Sequence, residues 1–110
     1  VDDESIVISS KVWKEAPPIA DYSGSGYRVI EKAAKAVVPN AVVVPSLLFG
    51  ATDTRHYTEL ADNIYRFRGV SVAFDQAKGV HGTNEYIWVD SFEQSIVVAK
   101  QIIKLGSGTP

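Results

Sequence analysis

"AVVVP", residues 41–45, is the stretch on which the fold reading turns. Three β-branched valines follow an alanine and run straight into a proline, the pattern of a short strand covered on both faces. Upstream, Ser23 or Ser25 is placed to cap a helix whose apolar positions Tyr27, Ile30, Ala34, Val37 and Val38 fit a 3.6-residue period. Pro39-Asn40 ends that helix. Downstream, "SLLFGATDTRHY" reads as loop, "TELADNI" as a brief helix, and "IYRF" and "VSVAF" as strands separated by Gly69. Ser91 with Gln94, or Asp90 with Glu93, makes a capping box for a last helix carrying Phe92, Ile96, Ala99 and Ile103 on one face. The glycine-rich "LGSGTP" stops it. The order β–α–β–(α)–β–loop–α predicts an α/β chain, a layered mixed sheet with flanking helices.

Residues 1–16 stand apart as a first strand, with "ESIVISSKVWK" lacking helical periodicity and "APP" at 16–18 stopping it. Residues 17–26, with "YSGSG", form a linker, and 27–110 the main body. A lone strand cannot bury its apolar face, so this one is expected to join a sheet completed by polypeptide outside the chain. The absence of an initiating methionine fits the same expectation of a processed product or fragment.

Composition narrows the chemistry. At 110 residues, 45% apolar and 22% charged, the chain has the make-up of one globular domain. Its formal net charge is −2 and its cations are scattered, which argues against a nucleic-acid surface. No cysteine is present, so thiolate metal sites, disulfides and cysteine nucleophiles are excluded. No apolar run exceeds five residues, so no transmembrane or targeting segment is read, and the compartment stays open.

Two stretches carry candidate chemistry. In "GVHGTNEYI", residues 79–87, His81 lies between glycines that permit close backbone approach, in a loop between a strand and a capped helix. It reads either as a hydrogen-bonded loop histidine or as a zinc ligand. A catalytic zinc needs about three protein ligands. The chain offers two histidines, 25 residues apart, with scattered carboxylates. In "GATDTRHY", residues 50–57, Asp53 and Arg55 are two apart and would not share a helical face. The plain reading is a helix cap with a surface arginine. The sharper one has Arg55 gripping a carboxylate, which its planar fork matches bidentately. His56, without a glycine context, reads as structural.

Together, "PSLLFGATDTRHYTELADNIYRF" and "GVHGTNEYIWVDSFEQSIVVAKQII" resemble the C-terminal part of the di-zinc exopeptidase and aminoacylase family. The resemblance is to its carboxypeptidase S-like, Gly-X carboxypeptidase and N-acyl amino acid hydrolase members, and covers about residues 24–105. Residues 1–16 resemble the last strand of that family's inserted lid domain. The resemblance implies a sheet-based C-terminal segment of the catalytic domain. It implies that His81 is a zinc ligand, that Arg55 receives a substrate carboxylate and that Asp53 orients its loop. It further implies that Gly82 lies close to substrate and that Asn84 and Glu85 shape the loop behind the ligand. Such a site holds two zincs and a bridging water activated by a general-base glutamate. The other ligands and that base match nothing in this sequence, so no catalytic residue is assigned to it, and alone it is not expected to hydrolyse anything. The implied partners are the N-terminal part of the same catalytic domain and a peptide or N-acyl amino acid substrate. The competing expectation is a non-catalytic remnant, a small α/β domain associating with itself as a homodimer, since an exposed strand edge invites pairing.

Overall fold

A computed structural model describes residues 3–7, 9, 16–77 and 79–108. Two helices organise them: α1, Ser25–Val37, and α3, Val89–Gly106, with a one-turn α2, Phe74–Ala77, and a 3₁₀ turn over Asp53–His56 between. α1 packs against α3. Ala33 is fully buried in α1 and Val98 nearly so in α3. A methyl-sized residue lets two helix backbones come close, so this seam is narrow and makes a small core.

Helix boundaries follow local chemistry, though not through the expected caps. Gly24 precedes α1 without a side-chain cap. Ser23 turns back instead, its backbone N–H and hydroxyl donating to the Asp21 carboxylate at 2.8 and 2.6 Å. Val38 closes the helix with its N–H on the Ala34 carbonyl, where Pro39 forbids continuation. Trp88 precedes α3, also without a side-chain cap, and Asp90 sits in the first turn, where its charge complements the helix dipole. α3 keeps Gln94, Ser95 and Ile102 half-buried around Val98. Phe92, Ile96, Ala99 and Ile103, grouped on one face in the sequence, are exposed.

The layered mixed sheet is not formed. Among the described residues there is no strand, and residues 41–45, 64–67 and 70–73 carry neither strand nor helix. Val42 is 84% exposed and Val44 66%, so the run that reads as doubly covered is not covered. The physical reason is that a strand exists only as half of a ladder. Valine-rich sequence supplies the propensity, but no other described segment supplies the partnering N–H and C=O groups. "TELADNI" likewise forms only a turn, with Leu60 and Ala61 donating to Tyr57. Of the first strand, residues 1, 2, 8 and 10–15 lie outside the described residues, while Glu4 and Ser5 form a turn held by Asp3.

The consequence shows in the dimensions. The radius of gyration is 18.0 Å, against about 13 Å for a compact domain of this length. The accessible surface is 9674 Å², where a globular protein of this mass exposes about 6000 Å². Among the described residues no helix is long and apolar enough to cross a membrane.

What order exists around the helices is set by a few close approaches. Asp21 is clamped from across the chain: its N–H donates to Asn63 Oδ1 at 2.6 Å and its carbonyl accepts from Tyr65 Oη at 2.5 Å. Those bonds tie residues 17–26 to the "IYRF" segment, which passes so close to Gly26 that a β-carbon there would stand 2.7 Å from the Tyr65 ring. Tyr65 also packs on Tyr27, ring centroids 6.2 Å apart. Gly69, at φ +66°, then lays the chain against Val98.

Candidate functional site

The segment 50–57 is built on a threonine pair. Thr52 precedes the 3₁₀ turn and caps it, its Oγ1 accepting from the Thr54 N–H at 3.3 Å and lying 2.5 Å from Thr54 Oγ1. The cap is therefore Thr52, and Asp53 is the exposed first residue of the turn. Arg55 is exposed, and its Nε donates to His56 Nε2 at 3.1 Å. That bond holds the Arg55 guanidinium beside the His56 ring.

The segment 79–85 is a tight turn. Gly82 N–H donates to the Gly79 carbonyl at 2.8 Å, and a β-carbon on Gly82 would come within 3.1 Å of that oxygen. His81 and Asn84 both take left-handed backbone geometry, φ 61° and 60°. The Glu85 carboxylate accepts the His81 N–H at 3.0 Å, which pins the loop from its far end. In this arrangement Glu85 spends one oxygen on shaping the loop.

The two segments meet at a cavity of about 940 Å³ beside the α1–α3 seam. His81 lines it, as do Gly50, Thr52 and Thr54. Asp53, Arg55, Gly82, Asn84 and Glu85 are not among its lining residues. Sequence reasoning missed the arginines that are: Arg66 and Arg68. Arg66 Nε donates to Thr54 Oγ1 at 2.9 Å and reaches Thr52 Oγ1 at 3.4 Å. The available signal was two arginines alternating with Tyr65 and Phe67 in "IYRFRGV", charges set two apart in an otherwise apolar run.

Among the described residues no group of three or more His, Cys, Asp or Glu side chains could hold a metal ion. The donors among the described residues therefore do not build a zinc site by themselves. His81 brings one imidazole, and its neighbour Glu85 is turned toward the backbone of the loop.

Over 105 residues the chain is 31% identical to a probable carboxypeptidase S-like protein 1 of Dictyostelium discoideum, a match covering 94% of the chain and 22% of that protein. It is 32% identical over 89 residues to an N-fatty-acyl-amino acid synthase/hydrolase of Danio rerio, covering 79% of the chain and 17% of the relative. It is 31% identical over 78 residues to the mouse protein of that name, covering 70% and 16%. The chain spans about a fifth of the length of these curated relatives. No family model matches it. No solved structure matches it.

Proposed function

From its kinship with the carboxypeptidase S-like and N-fatty-acyl-amino acid synthase/hydrolase proteins, we propose that this chain is the C-terminal portion of a zinc-dependent metallopeptidase or amidohydrolase. The reaction cleaves a peptide or N-acyl amide next to a free carboxylate. His81 supplies one zinc ligand, and the N-terminal part of the same domain supplies the remaining ligands and the general base. When bound, the metal would polarise the amide carbonyl and activate water.

The work of this chain's own residues is binding and positioning. Arg55 receives the substrate carboxylate, with Asp53 at the head of its turn and His56 fixing its Nε. Gly82, whose N–H closes the turn on the Gly79 carbonyl, sits beside His81 near the substrate, and Asn84 and Glu85 shape the loop that presents His81. The observation that carries the reading is identity extending over 94% of the chain against only 22% of the relative. A surface far larger than a closed domain needs supports it.

The test is the longer protein that this reading requires, assayed on N-acyl amino acids and on their amidated counterparts. His81→Ala removes hydrolysis of both and lowers zinc content. Arg55→Ala raises KM by about tenfold or more for free carboxylates alone, the value of a charge-assisted hydrogen bond. Equal losses on both substrate types would take the carboxylate away from Arg55, and unchanged zinc content in His81→Ala would end its role as ligand.

One observation favours a second reading, a non-catalytic chain that associates with itself. Val89, Phe92, Ile96 and Ile103 recur at steps of three, four and seven residues along α3 and are all more than half exposed. That spacing is the seam of a helix pair. Sedimentation of the chain across a concentration series separates the readings: a discrete dimer abolished by Ile96→Glu favours this one, and a monomer excludes it.

A further inference from the structure

The outer face of α3 carries more than its four large apolar residues. Ala99 and Gly106 complete that series, so that Val89, Phe92, Ile96, Ala99, Ile103 and Gly106 alternate steps of three and four. This is an unbroken heptad stripe. All six residues are exposed, and the side of α3 that packs, with Gln94 and Val98, is turned the other way.

Residue size and charge each select one orientation for a helix laid on that stripe. In a parallel pair of copies every position faces itself, so Ala99 would meet Ala99 and Gly106 would meet Gly106, leaving two underfilled layers. In an antiparallel pair the layers are Ile96 on Ala99, Phe92 on Ile103 and Val89 on Gly106, and no layer sets two small residues together. The charges are divided along the helix. Asp90 and Glu93 stand toward its N-terminus, Lys100 and Lys104 toward its C-terminus, all exposed. Among the described residues none of the four is in a salt bridge. Glu93 and Lys100 flank the stripe, one residue past Phe92 and Ala99. Parallel copies would set acid against acid and base against base. Antiparallel copies bring Glu93 beside Lys100 of the second copy, twice by symmetry, and oppose the two helix dipoles.

We infer that the outer face of α3 docks a second copy of this chain in antiparallel orientation, about a two-fold axis between Ile96 and Ala99, with reciprocal Glu93–Lys100 pairs. The inference rests on the self-association reading and adds the orientation and the groups that select it. The cavity that His81 lines takes Gln94 and Val98 from α3, on its packed side, so pairing leaves that cavity open.

Sedimentation equilibrium of the 110-residue chain and its charge variants reads the pairing. Glu93→Lys and Lys100→Glu should each raise the dimer dissociation constant about tenfold, and the two substitutions in one chain should restore it. Glu93→Lys sets a cation three residues after Asp90, and Lys100→Glu an anion four residues before Lys104. Both changes favour the isolated helix, so a weaker dimer is not an unfolded chain, which circular dichroism verifies. Because the sequence has no cysteine, an introduced one reports orientation. A β-carbon at Gly106 meets nothing within 4 Å, so Gly106→Cys is accommodated. Val89→Cys and Gly106→Cys chains should oxidise together to a mixed disulfide. Val89→Cys alone should stay uncrosslinked, its two thiols lying about 25 Å apart along the pair. A dimer that ignores the charge reversals, is not restored by the swap, or crosslinks through Val89→Cys alone overturns the antiparallel inference and leaves self-association standing. A chain that stays monomeric overturns both. Neither result touches the hydrolase reading, whose failure would appear in zinc content and turnover of the longer protein.

Discussion

Gly69 and Val98 are in direct contact: a β-carbon built on Gly69 would stand 2.9 Å from Val98 Cγ1. Gly69 also has φ +66°, where an L side chain is strained. Gly69→Ala therefore combines about 1–2 kcal/mol of backbone strain with overpacking of about 1–3 kcal/mol. The expected loss is about 3 kcal/mol, read as a lower midpoint in urea melts followed at 222 nm. Adding Val98→Ala should return the steric part and leave the backbone part, so a double variant no better than Gly69→Ala would put the contact in doubt.

Tyr65 and Tyr27 meet ring to ring at a tilt of 54° yet should respond oppositely to the same change. Tyr65 Oη donates to the Asp21 carbonyl, while Tyr27 Oη is buried with no hydrogen-bond partner among the described residues. Tyr65→Phe is expected to cost about 1 kcal/mol and to speed amide exchange in residues 21–24. Tyr27→Phe deletes an unsatisfied hydroxyl and should be neutral or stabilising by up to about 1 kcal/mol. Equal destabilisation by both would remove the distinction.

Helices were legible in the sequence because their signal is local. Tyr27, Ile30, Ala34 and Val37 are half-buried along α1 as their period predicts, whereas Val38 is exposed and the fully buried Ala33 lay outside the pattern; Pro39 marks the helix end. The sheet was not legible, because "AVVVP" reports a preference and a ladder needs a second backbone that no described segment provides. On α3 the more apolar face misled: Phe92, Ile96 and Ile103 point away from α1, and the packed face mixes Val98 with Gln94 and Ser95. At the site, His81 and the 50–57 loop were visible as glycine-flanked chemistry. Arg66 was not, because its place at the cavity comes from a contact with Thr54 twelve residues earlier that no local pattern encodes.

The Asp21 turn should depend on pH in one direction. Hydrogen bonds from the Ser23 hydroxyl, then from its backbone N–H, hold the Asp21 carboxyl below the usual carboxylate range. A depressed folded-state value means that the stabilisation is complete above the unfolded-state range and is lost as pH falls through the folded value. Ser23 and Gly24 amide shifts should therefore stay flat above about pH 5 and move below about pH 4. Asp21→Asn should abolish the transition. A transition that moves upward in pH instead would contradict the bonding seen at Ser23.

Asn84 and His81 give the last test, because both sit in left-handed geometry within the loop that Glu85 pins. Asparagine tolerates this region and glycine adopts it freely, whereas a β-branched side chain does not. Asn84→Gly should leave the loop intact, with the His81 amide still protected from exchange by the Glu85 carboxylate. Asn84→Val should cost about 1–2 kcal/mol locally and release that amide. Glu85→Gln keeps an acceptor of the same length but discards the charge, so it should loosen the amide less than Asn84→Val does. If the order were reversed, Glu85 would hold the loop through its charge, and the left-handed turn would follow from that bond rather than support it.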